Sequence, residues 1–262
     1  MYRQSLFFVF VISLFTLPLL AQKKVLDHSV YDSWKSFGAI SVTDDGKFSV
    51  CVIKEQQGED QILIRQLSSV RELIIPRGYN FSITPDQKFV VTLIGYSYTE
   101  RSNDRLPQTG ITNDKLPKDS LAIISLDRFS VTKIPHVSGF KMGKDFSEYI
   151  AFTSVNNNEP VLIIYRLAGG EKDTIQNAGE YIFSRNGKAL AVTITEKDST
   201  DCAKLCYFDL DKKYEKKIVS QKKTIYKNVT LSESGNKMAF FFTLNATKRN
   251  MALNLVKQVV KL

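Results

Sequence analysis

The sequence predicts an all-β fold of stacked antiparallel sheets, and three observations predict it. A turn-and-strand pattern recurs five times, pairs of short apolar strands follow the turns, and no convincing amphipathic helix follows the N-terminal segment. The chain has 262 residues, of which 43% are hydrophobic and 24% charged, with 13 Gly and 7 Pro. That composition excludes disordered, collagen-like and disulfide-scaffold proteins.

Residues 1–22 have the composition of a secretory signal peptide. Arg3 is their one charge, and the apolar run that follows it ends at Ala21, a small residue suited to cleavage. Cleavage after Ala21 or Gln22 would begin the mature chain at residue 22 or 23, and we take 23–262 as its folded part. The apolar run of about 16 residues is shorter than the roughly 20 needed to span a bilayer, so an uncleaved anchor is the weaker alternative. We expect an exported protein, periplasmic or extracellular, with no stable membrane span after cleavage.

The recurring pattern is a polar turn, a Lys or similar residue, and then an alternating apolar strand. Asp-Gly or Asn-Gly supplies a bend with positive φ, and the residues after it alternate between a core face and a solvent face. The five copies are Thr43–Val50, Thr84–Val91, Lys144–Phe152, Ser184–Val192 and Ser232–Phe240. When Gly46, Gln87, Ser147, Gly187 and Gly235 are taken as equivalent, the steps are 41, 60, 40 and 48 residues.

Two further strands follow each of the first four turns, as in the outer hairpin of a propeller blade. The predicted pairs are Ile62–Ile64 with Leu73–Ile75, Leu121–Ile124 with Val131–Ile134, Val161–Tyr165 with Asp173–Ile175, and Leu205–Phe208 with Lys217–Val219. The fifth repeat is predicted to continue with a strand at Met251–Leu255.

A repeat of about 40–50 residues is the spacing of propeller blades, and one blade cannot bury both of its faces alone. The sequence therefore predicts a partial β-propeller of about five blades over 23–262. We expect it to be open, because the fifth repeat is incomplete. A closing strand from residues 23–36 is the weaker alternative.

The 60-residue step contains a polar, Pro-containing stretch at 96–118. Such a stretch indicates a loop inserted between strands. Insertions within repeats often lie on the working face, which makes this segment a candidate lid or partner-contacting loop. A surface excursion without a role is the plainer alternative.

The charge of the chain is dispersed. Lys and Arg total 36 against 27 acidic residues, a formal net charge of +9. Pairs such as Lys212-Lys213 and Lys216-Lys217 alternate with Asp211 and Glu215, and no five-residue basic block occurs. Dispersed charge of this kind is typical of a solvated surface, so we expect no nucleic-acid partner.

The three cysteines, Cys51, Cys202 and Cys206, are an odd number, so disulfides cannot be the main support of the fold. Cys202 and Cys206 have no second cysteine pair and no His nearby, which disfavours a zinc site. We expect buried apolar cysteines, with a Cys202–Cys206 bridge as the alternative. No metal or cofactor is expected.

Two stretches carry a family resemblance. The opening of the mature chain, Leu26–Ser36, with the Asp-Asp-Gly-Lys turn after it, resembles the first propeller blade of secreted bacterial peptidases of the prolyl oligopeptidase family. Leu116–Ile123 and Thr132–Pro135 resemble the same group, which includes dipeptidyl aminopeptidases and acylaminoacyl peptidases. The resemblance implies a propeller that filters access to a C-terminal α/β-hydrolase domain, and we expect that domain to be missing from this chain.

No catalytic residue is predicted in this chain. A nucleophilic Ser requires a Gly-x-Ser-x-Gly elbow, and the nearest string, Gly95–Thr99, lacks the closing Gly. His28 and His136 are the two histidines, and both are expected to be structural or surface residues. The chain alone is therefore expected to be inactive, a propeller that gates or binds a peptide substrate. The alternative is a stand-alone periplasmic propeller that binds another protein or a glycan.

Overall fold

Five antiparallel sheets follow one another along the chain. The computed structural model describes residues 31, 34–56, 58–97, 119–156, 159–195, 202–222, 224–243 and 255–262. Within them each sheet is a simple meander, and the strands that neighbour each other in the sheet are consecutive in sequence. The first four sheets have four strands and the fifth has three. These sheets are blades 1 to 5 of an open, partial β-propeller, which confirms the predicted fold.

The strands of the five blades have the following bounds. Blade 1 contains β1 (Lys35–Val42), β2 (Phe48–Glu55), β3 (Gln61–Gln66) and β4 (Glu72–Pro76). Blade 2 contains β5 (Gly78–Ile83), β6 (Phe89–Ile94), β7 (Ser120–Ser125) and β8 (Val131–Ile134). Blade 3 contains β9 (Val137–Met142), β10 (Tyr149–Asn156), β11 (Glu159–Arg166) and β12 (Lys172–Gln176). Blade 4 contains β13 (Ala178–Phe183), β14 (Ala189–Thr195), β15 (Cys202–Asp209) and β16 (Tyr214–Lys222), and blade 5 contains β17 (Ile225–Leu231), β18 (Lys237–Thr243) and β19 (Leu255–Lys261).

The meander gives every blade two distinct ends. The turn end carries the turn between the first and second strands and the hairpin between the third and fourth. The loop end carries the connection between the second and third strands and the link from one blade to the next. The predicted repeat turns all lie at the turn end, at 43–47, 84–88, 143–148, 184–188 and 232–236.

A Ser or Thr hydroxyl organises four of these turns, and its residue is buried in all of them except the Ser232 turn. The Oγ atom of the first turn residue accepts a hydrogen bond from the N–H five residues later, at 3.0 Å in each case. The donor and acceptor residues are Phe48 and Thr43, Phe89 and Thr84, Ala189 and Ser184, and Lys237 and Ser232. The fourth residue of each turn has positive φ, as predicted: Gly46, Gln87, Gly187 and Gly235.

The third copy of the pattern does not form this turn, and the prediction that Ser147 is equivalent to the four bends is wrong. The sequence there lacks both the leading Ser or Thr and the Asn-Gly or Asp-Gly pair. Instead, the Ser147 hydroxyl donates to the Gly143 carbonyl at 2.8 Å. The N–H groups of Lys144 and Asp145 donate to the Arg185 carbonyl of the next blade, both at 2.9 Å.

Apolar side chains between consecutive blades form four cores. Val50, Ile62 and Ile64 of blade 1 pack with Val90 and Ile124 of blade 2, and all five are fully buried. Similar clusters join blades 2 and 3, blades 3 and 4, and blades 4 and 5. Each blade is therefore stabilised mainly by its neighbours, as in other repeat proteins.

Three other sequence predictions concern the two ends of the chain. Lys35 and Ser36 begin β1, the first strand of blade 1, and do not supply a closing strand to blade 5. The third strand of blade 5 is Leu255–Lys261, and the predicted strand Met251–Leu255 lies outside the described residues except for Leu255. The proposed signal peptide at 1–22 lies outside the described residues. In the part of the chain that is described, no helix is long and apolar enough to cross a membrane.

Candidate functional site

The loop end is where the blades differ from one another. Between the second and third strands, the connection covers 56–60 in blade 1, 95–119 in blade 2 and 157–158 in blade 3. It covers 196–201 in blade 4 and 244–254 in blade 5. The turns at the opposite end are almost uniform in length. Because variation within repeats is typical of a binding face, the loop end is the candidate binding face of this protein.

A cavity of about 550 Å³ opens at this end, between blades 1 and 2. Its lining includes both signs of charge and two aromatic rings: Lys54, Asp60, Arg77, Tyr79, Tyr96 and Asp119. A volume of this size lies within the range of roughly 300–1,000 Å³ of small-ligand sites. We call this group of residues the blade 1–2 cleft.

The link between blades 1 and 2 places Arg77 at the cleft. Arg77 has a φ of 61°, in the left-handed region that non-glycine residues rarely adopt. Its carbonyl accepts a hydrogen bond from the N–H of Gly95 at 2.9 Å, which joins the start of β5 to the end of β6. The side chain of Arg77 is exposed at the mouth of the cleft.

The unusual backbone of Arg77 recurs in later blades. His136 and Asn177 occupy the corresponding links, with φ values of 59° and 55°. Their carbonyls accept hydrogen bonds from the N–H groups of Val155 and Thr195. A left-handed residue at the link between blades is thus part of the repeat. Blade 2 differs because its left-handed residue is Arg77, which carries a cationic side chain.

Asp119 also lines the cleft, just before β7. Its carboxylate accepts a hydrogen bond from the Tyr79 hydroxyl, and its carbonyl accepts one from the N–H of Val137 at 2.6 Å. Tyr79 also packs against the core between blades 2 and 3. Both contacts hold the Asp119 carboxylate in place before any ligand arrives.

The charges of the cleft are not consumed by pairing within the described residues. Lys54, Asp60 and Arg77 form no ion pair with any other described residue. The side chain of Lys54 lies beside the backbone of Gly38. A Cβ added at Gly38 would be 3.0 Å from the Cε of Lys54. The cleft can therefore present two cations and two carboxylates to a ligand, together with two phenol rings.

Two larger cavities have a different character. One of about 700 Å³ lies between blades 3 and 4, and one of about 800 Å³ lies at the turn end and is lined by residues of blades 1, 2 and 3. Several of their charged residues form ion pairs, as Arg166 does with Glu171 in the first cavity and Lys47 with Asp45 in the second. We regard them as gaps between adjacent blades.

The residues that the sequence singled out for possible chemistry do not converge. His136 lies exposed on the link between blades 2 and 3, and His28 lies outside the described residues. Gly95 to Ser97 follow β6 without regular structure, and the rest of the 96–118 stretch is outside the described part. In the described residues, no group of three or more His, Cys, Asp or Glu side chains could hold a metal ion.

The cysteines are free thiols where the structure describes them. Cys206 is buried, and burial raises its pKa to about 11. The predicted alternative of a Cys202–Cys206 bridge is wrong, because both residues lie in strand β15. Residues four apart in a strand are separated by about 13 Å, beyond the reach of a disulfide. Cys51 is only partly buried, contrary to the expectation of a buried residue, and burial raises its pKa as well.

Sequence reasoning missed the cleft residues. Arg77, His136 and Asn177 are spaced 59 and 41 residues apart, close to the steps of 60 and 40 between the turns. A search for further positions with that spacing could have identified the blade links. Nothing local in the sequence indicates that Lys54 and Asp119 face the same cavity.

Comparison with known proteins adds structural likeness at low identity. No family model matches the chain. No curated protein matches it. Among solved structures, the propeller domain of the Trilobed protease from Pyrococcus furiosus has 12% identity and a TM-score of 0.47, covering 87% of this chain and 70% of that one. A prolyl endopeptidase has 11% identity and a TM-score of 0.47, covering 81% of this chain and 33% of its own.

The acylaminoacyl peptidase of Pyrococcus horikoshii gives a similar result. It has 11% identity and a TM-score of 0.43, covering 79% of this chain and 35% of its own. This chain thus spans about a third of the length of each of these two chains. The likeness concerns the fold, and the fold assignment rests on the five sheets themselves.

Proposed function

We propose that this chain is the non-catalytic propeller of an exported peptidase of the prolyl oligopeptidase family, and that its loop end binds peptide. The family assignment rests on the resemblance of Leu26–Ser36, with the Asp-Asp-Gly-Lys turn after it, and of Leu116–Ile123 and Thr132–Pro135. Export rests on the signal-like residues 1–22. The single observation that carries peptide binding is the chemistry of the blade 1–2 cleft. In such a peptidase, binding at this end would select the segments that reach the catalytic domain.

Peptides match the cleft because they carry both charges and apolar groups. Arg77 and Lys54 can bind a carboxylate, and Arg offers two parallel N–H donors for one. Asp60 and Asp119 can accept hydrogen bonds from an ammonium group. Tyr79 and Tyr96 offer ring faces to apolar side chains. A purely anionic or purely cationic ligand would leave half of these charges unmatched.

Fluorescence anisotropy with labelled tri- and tetrapeptides tests the proposal. We expect peptides with a free C-terminal carboxylate to bind more tightly than their amides, and Arg77→Gln to weaken binding about tenfold, the loss of about 1.4 kcal/mol. The matched control is Lys88→Gln, which removes an exposed cation at the turn end. Equal affinity of acids and amides, or equal effects of the two variants, would contradict the assignment of the site.

The alternative of a stand-alone periplasmic binding propeller predicts the same cleft. Reading the coding sequence after Leu262 separates the two, since a hydrolase-encoding frame with Gly-x-Ser-x-Gly would favour the peptidase. In either case we expect the chain to hydrolyse no dipeptidyl or N-acyl chromogenic substrate. Turnover that a serine-directed phosphonate abolishes would refute the non-catalytic role.

A further inference from the structure

Asn186 and Gly187 are the one Asn-Gly pair in the sequence, and they form the bend of the blade 4 turn. Spontaneous deamidation is easiest at such pairs, because glycine has no side chain to hinder attack of its backbone nitrogen on the preceding carboxamide. The fold requires glycine at this position, since Gly187 has a φ of 69° and is buried against blade 3. The turn therefore combines a structural requirement with a chemically reactive pair.

Within the blade 4 turn, both reacting groups are occupied by hydrogen bonds. The N–H of Gly187, whose nitrogen would attack, donates to the Ser184 carbonyl at 3.0 Å. The side-chain oxygen of Asn186 accepts from the Ser184 hydroxyl at 2.6 Å and from the N–H of Lys188 at 3.2 Å. These bonds hold the carboxamide over its own turn, so cyclisation requires the turn to open.

Blade 5 supplies the other contacts of Asn186. The N–H of Asn186 donates to the Glu233 carbonyl at 3.1 Å, and its side-chain nitrogen donates to the Ser234 carbonyl at 3.2 Å. The neighbouring Arg185 binds the Glu233 carboxylate at 2.9 Å. Among the described residues, every hydrogen bond that Asn186 makes outside its own turn therefore goes to blade 5.

Blade 5 is held from one side in the described part of the chain. Among the described residues it shares an apolar core with blade 4 and none with blade 1. Each repeat of such an array is stabilised by its neighbours, so a repeat with one neighbour opens at a lower free-energy cost than a repeat with two. Opening of blade 5 removes two hydrogen bonds from Asn186 while Gly187 stays packed on blade 3.

We propose that Asn186 is a site of spontaneous deamidation whose rate is set by the opening of blade 5. In the open state the Gly187 nitrogen loses its proton and attacks the side-chain carbonyl carbon of Asn186. The carboxamide nitrogen leaves as ammonia, and a succinimide ring forms. Water then adds to one of the two ring carbonyls and opens the ring to aspartate or isoaspartate. Because the reaction occurs in a transiently opened state, its rate follows the population of that state.

Both products fit the closed turn poorly. Aspartate puts an oxygen in place of the nitrogen that donates to the Ser234 carbonyl, and it adds a negative charge beside Glu233. Isoaspartate adds a carbon to the main chain before Gly187, where even an added Cβ would meet the Phe146 carbonyl. Deamidation therefore keeps blade 5 from returning, and a reversible opening becomes permanent.

Peptide mapping by mass spectrometry, after incubation of the full chain at mildly alkaline pH, measures the deamidation rate of Asn186. Gly235→Ala loosens blade 5, because an added Cβ would lie 2.8 Å from the Cβ of Ala189 in blade 4. Gly46→Ala is the matched control, since its backbone is also left-handed but an added Cβ meets nothing within 4 Å. We expect Gly235→Ala to raise the rate at least about fivefold, and Gly46→Ala to leave it unchanged.

A synthetic peptide of residues 182–190 gives the rate in the absence of the fold. We expect the intact chain to react at least about tenfold more slowly than this peptide. If circular dichroism shows Gly235→Ala to be unfolded, Val229→Ala replaces it, because Val229 is buried in the core between blades 4 and 5. Equal rates in chain and peptide, or equal rates in the blade 5 variant and Gly46→Ala, would overturn the proposal.

The effect of the product is tested with Asn186→Asp. We expect this variant to increase backbone hydrogen exchange in β17 of blade 5 and to leave β10 of blade 3 unchanged. Asn236→Asp makes the same chemical change at a residue whose side-chain oxygen accepts from the Ser232 hydroxyl, and it should leave exchange in β17 unchanged. Equal exchange in β17 for the two variants would contradict the inference that deamidation keeps blade 5 open.

Discussion

The turn end and the loop end of the blades differ in how regular their contacts are. At the turn end, the same hydroxyl-centred turn recurs in four blades, and hydrogen bonds join neighbouring turns. Arg185, for example, bridges Asp145 of blade 3 and Glu233 of blade 5, both at 2.9 Å. At the loop end, connections vary in length, and cleft charges have no ion-pair partner among the described residues. The difference teaches that the repeat keeps its structural contacts uniform at one end and leaves the other free to vary.

The largest expected effect concerns a glycine at the turn end. An added Cβ at Gly187 would lie 1.9 Å from the Phe146 carbonyl oxygen, and its φ of 69° disfavours any L side chain. We expect Gly187→Ala to destabilise the chain by at least about 3 kcal/mol in urea unfolding.

Gly46→Ala is the matched control for that change. Gly46 has almost the same φ, 66°, but an added Cβ would meet nothing within 4 Å. It should cost only the left-handed backbone penalty of about 1–2 kcal/mol. Equal losses for the two variants would show that the close approach of blades 3 and 4 at Gly187 contributes nothing.

A smaller loss is expected when the turn hydroxyl is removed. The Thr84 hydroxyl is buried, accepts from the N–H of Phe89 at 3.0 Å and donates to Asp86 at 2.6 Å. Thr84→Ala leaves these groups without that partner, so we expect a loss of about 2 kcal/mol in the free energy of unfolding. Thr84→Ser retains the hydroxyl, as Ser184 does in blade 4, and should lose less than half as much.

At the loop end the expected pattern is reversed, with binding affected more than stability. Asp119→Asn keeps an acceptor for the Tyr79 hydroxyl but removes the negative charge. We expect unfolding free energy to change by less than about 1 kcal/mol, while affinity for peptides with a free amino group falls about fivefold or more. N-acetylated peptides serve as the control, because their affinity should not change. A large stability loss with unchanged binding would remove Asp119 from the site.

The smallest effect is a pH dependence at the turn end. The pKa of Asp45 is lowered to about 2, chiefly by the Thr43 hydroxyl and then by the N–H of Lys47. A carboxyl whose pKa is depressed in the folded state contributes stability above its unfolded pKa of about 3.9, and this is lost as the pH falls through the folded value. We expect the carboxyl carbon of Asp45 to titrate with a midpoint near 2 in an NMR experiment. A midpoint near 3.9 would show that these hydrogen bonds do not form in solution.

The turn end could be predicted from the sequence because its interactions are local. The leading Ser or Thr, the Asp or Asn and the bend all lie within six residues, so the pattern is visible in the printed chain. The prediction that Ser147 is equivalent to the other bends failed because the contacts of that turn are not local. The turn depends on the Arg185 carbonyl, about 40 residues away, and no local pattern encodes that contact.

The blade 1–2 cleft could not be predicted in the same way. Lys54 and Asp60 belong to blade 1, whereas Arg77 and Asp119 belong to blade 2. Only the packing of two sheets brings them to one cavity, and the side chains that differ between blades carry no periodic signal.

Backbone hydrogen–deuterium exchange with and without a bound tetrapeptide tests the central contrast between the two ends most directly. We predict added protection at 54–56, 77–80 and 119–121, with exchange at the turns 43–47, 84–88 and 184–188 unchanged. Added protection at the turns, or none at the cleft despite saturating peptide, would contradict the account.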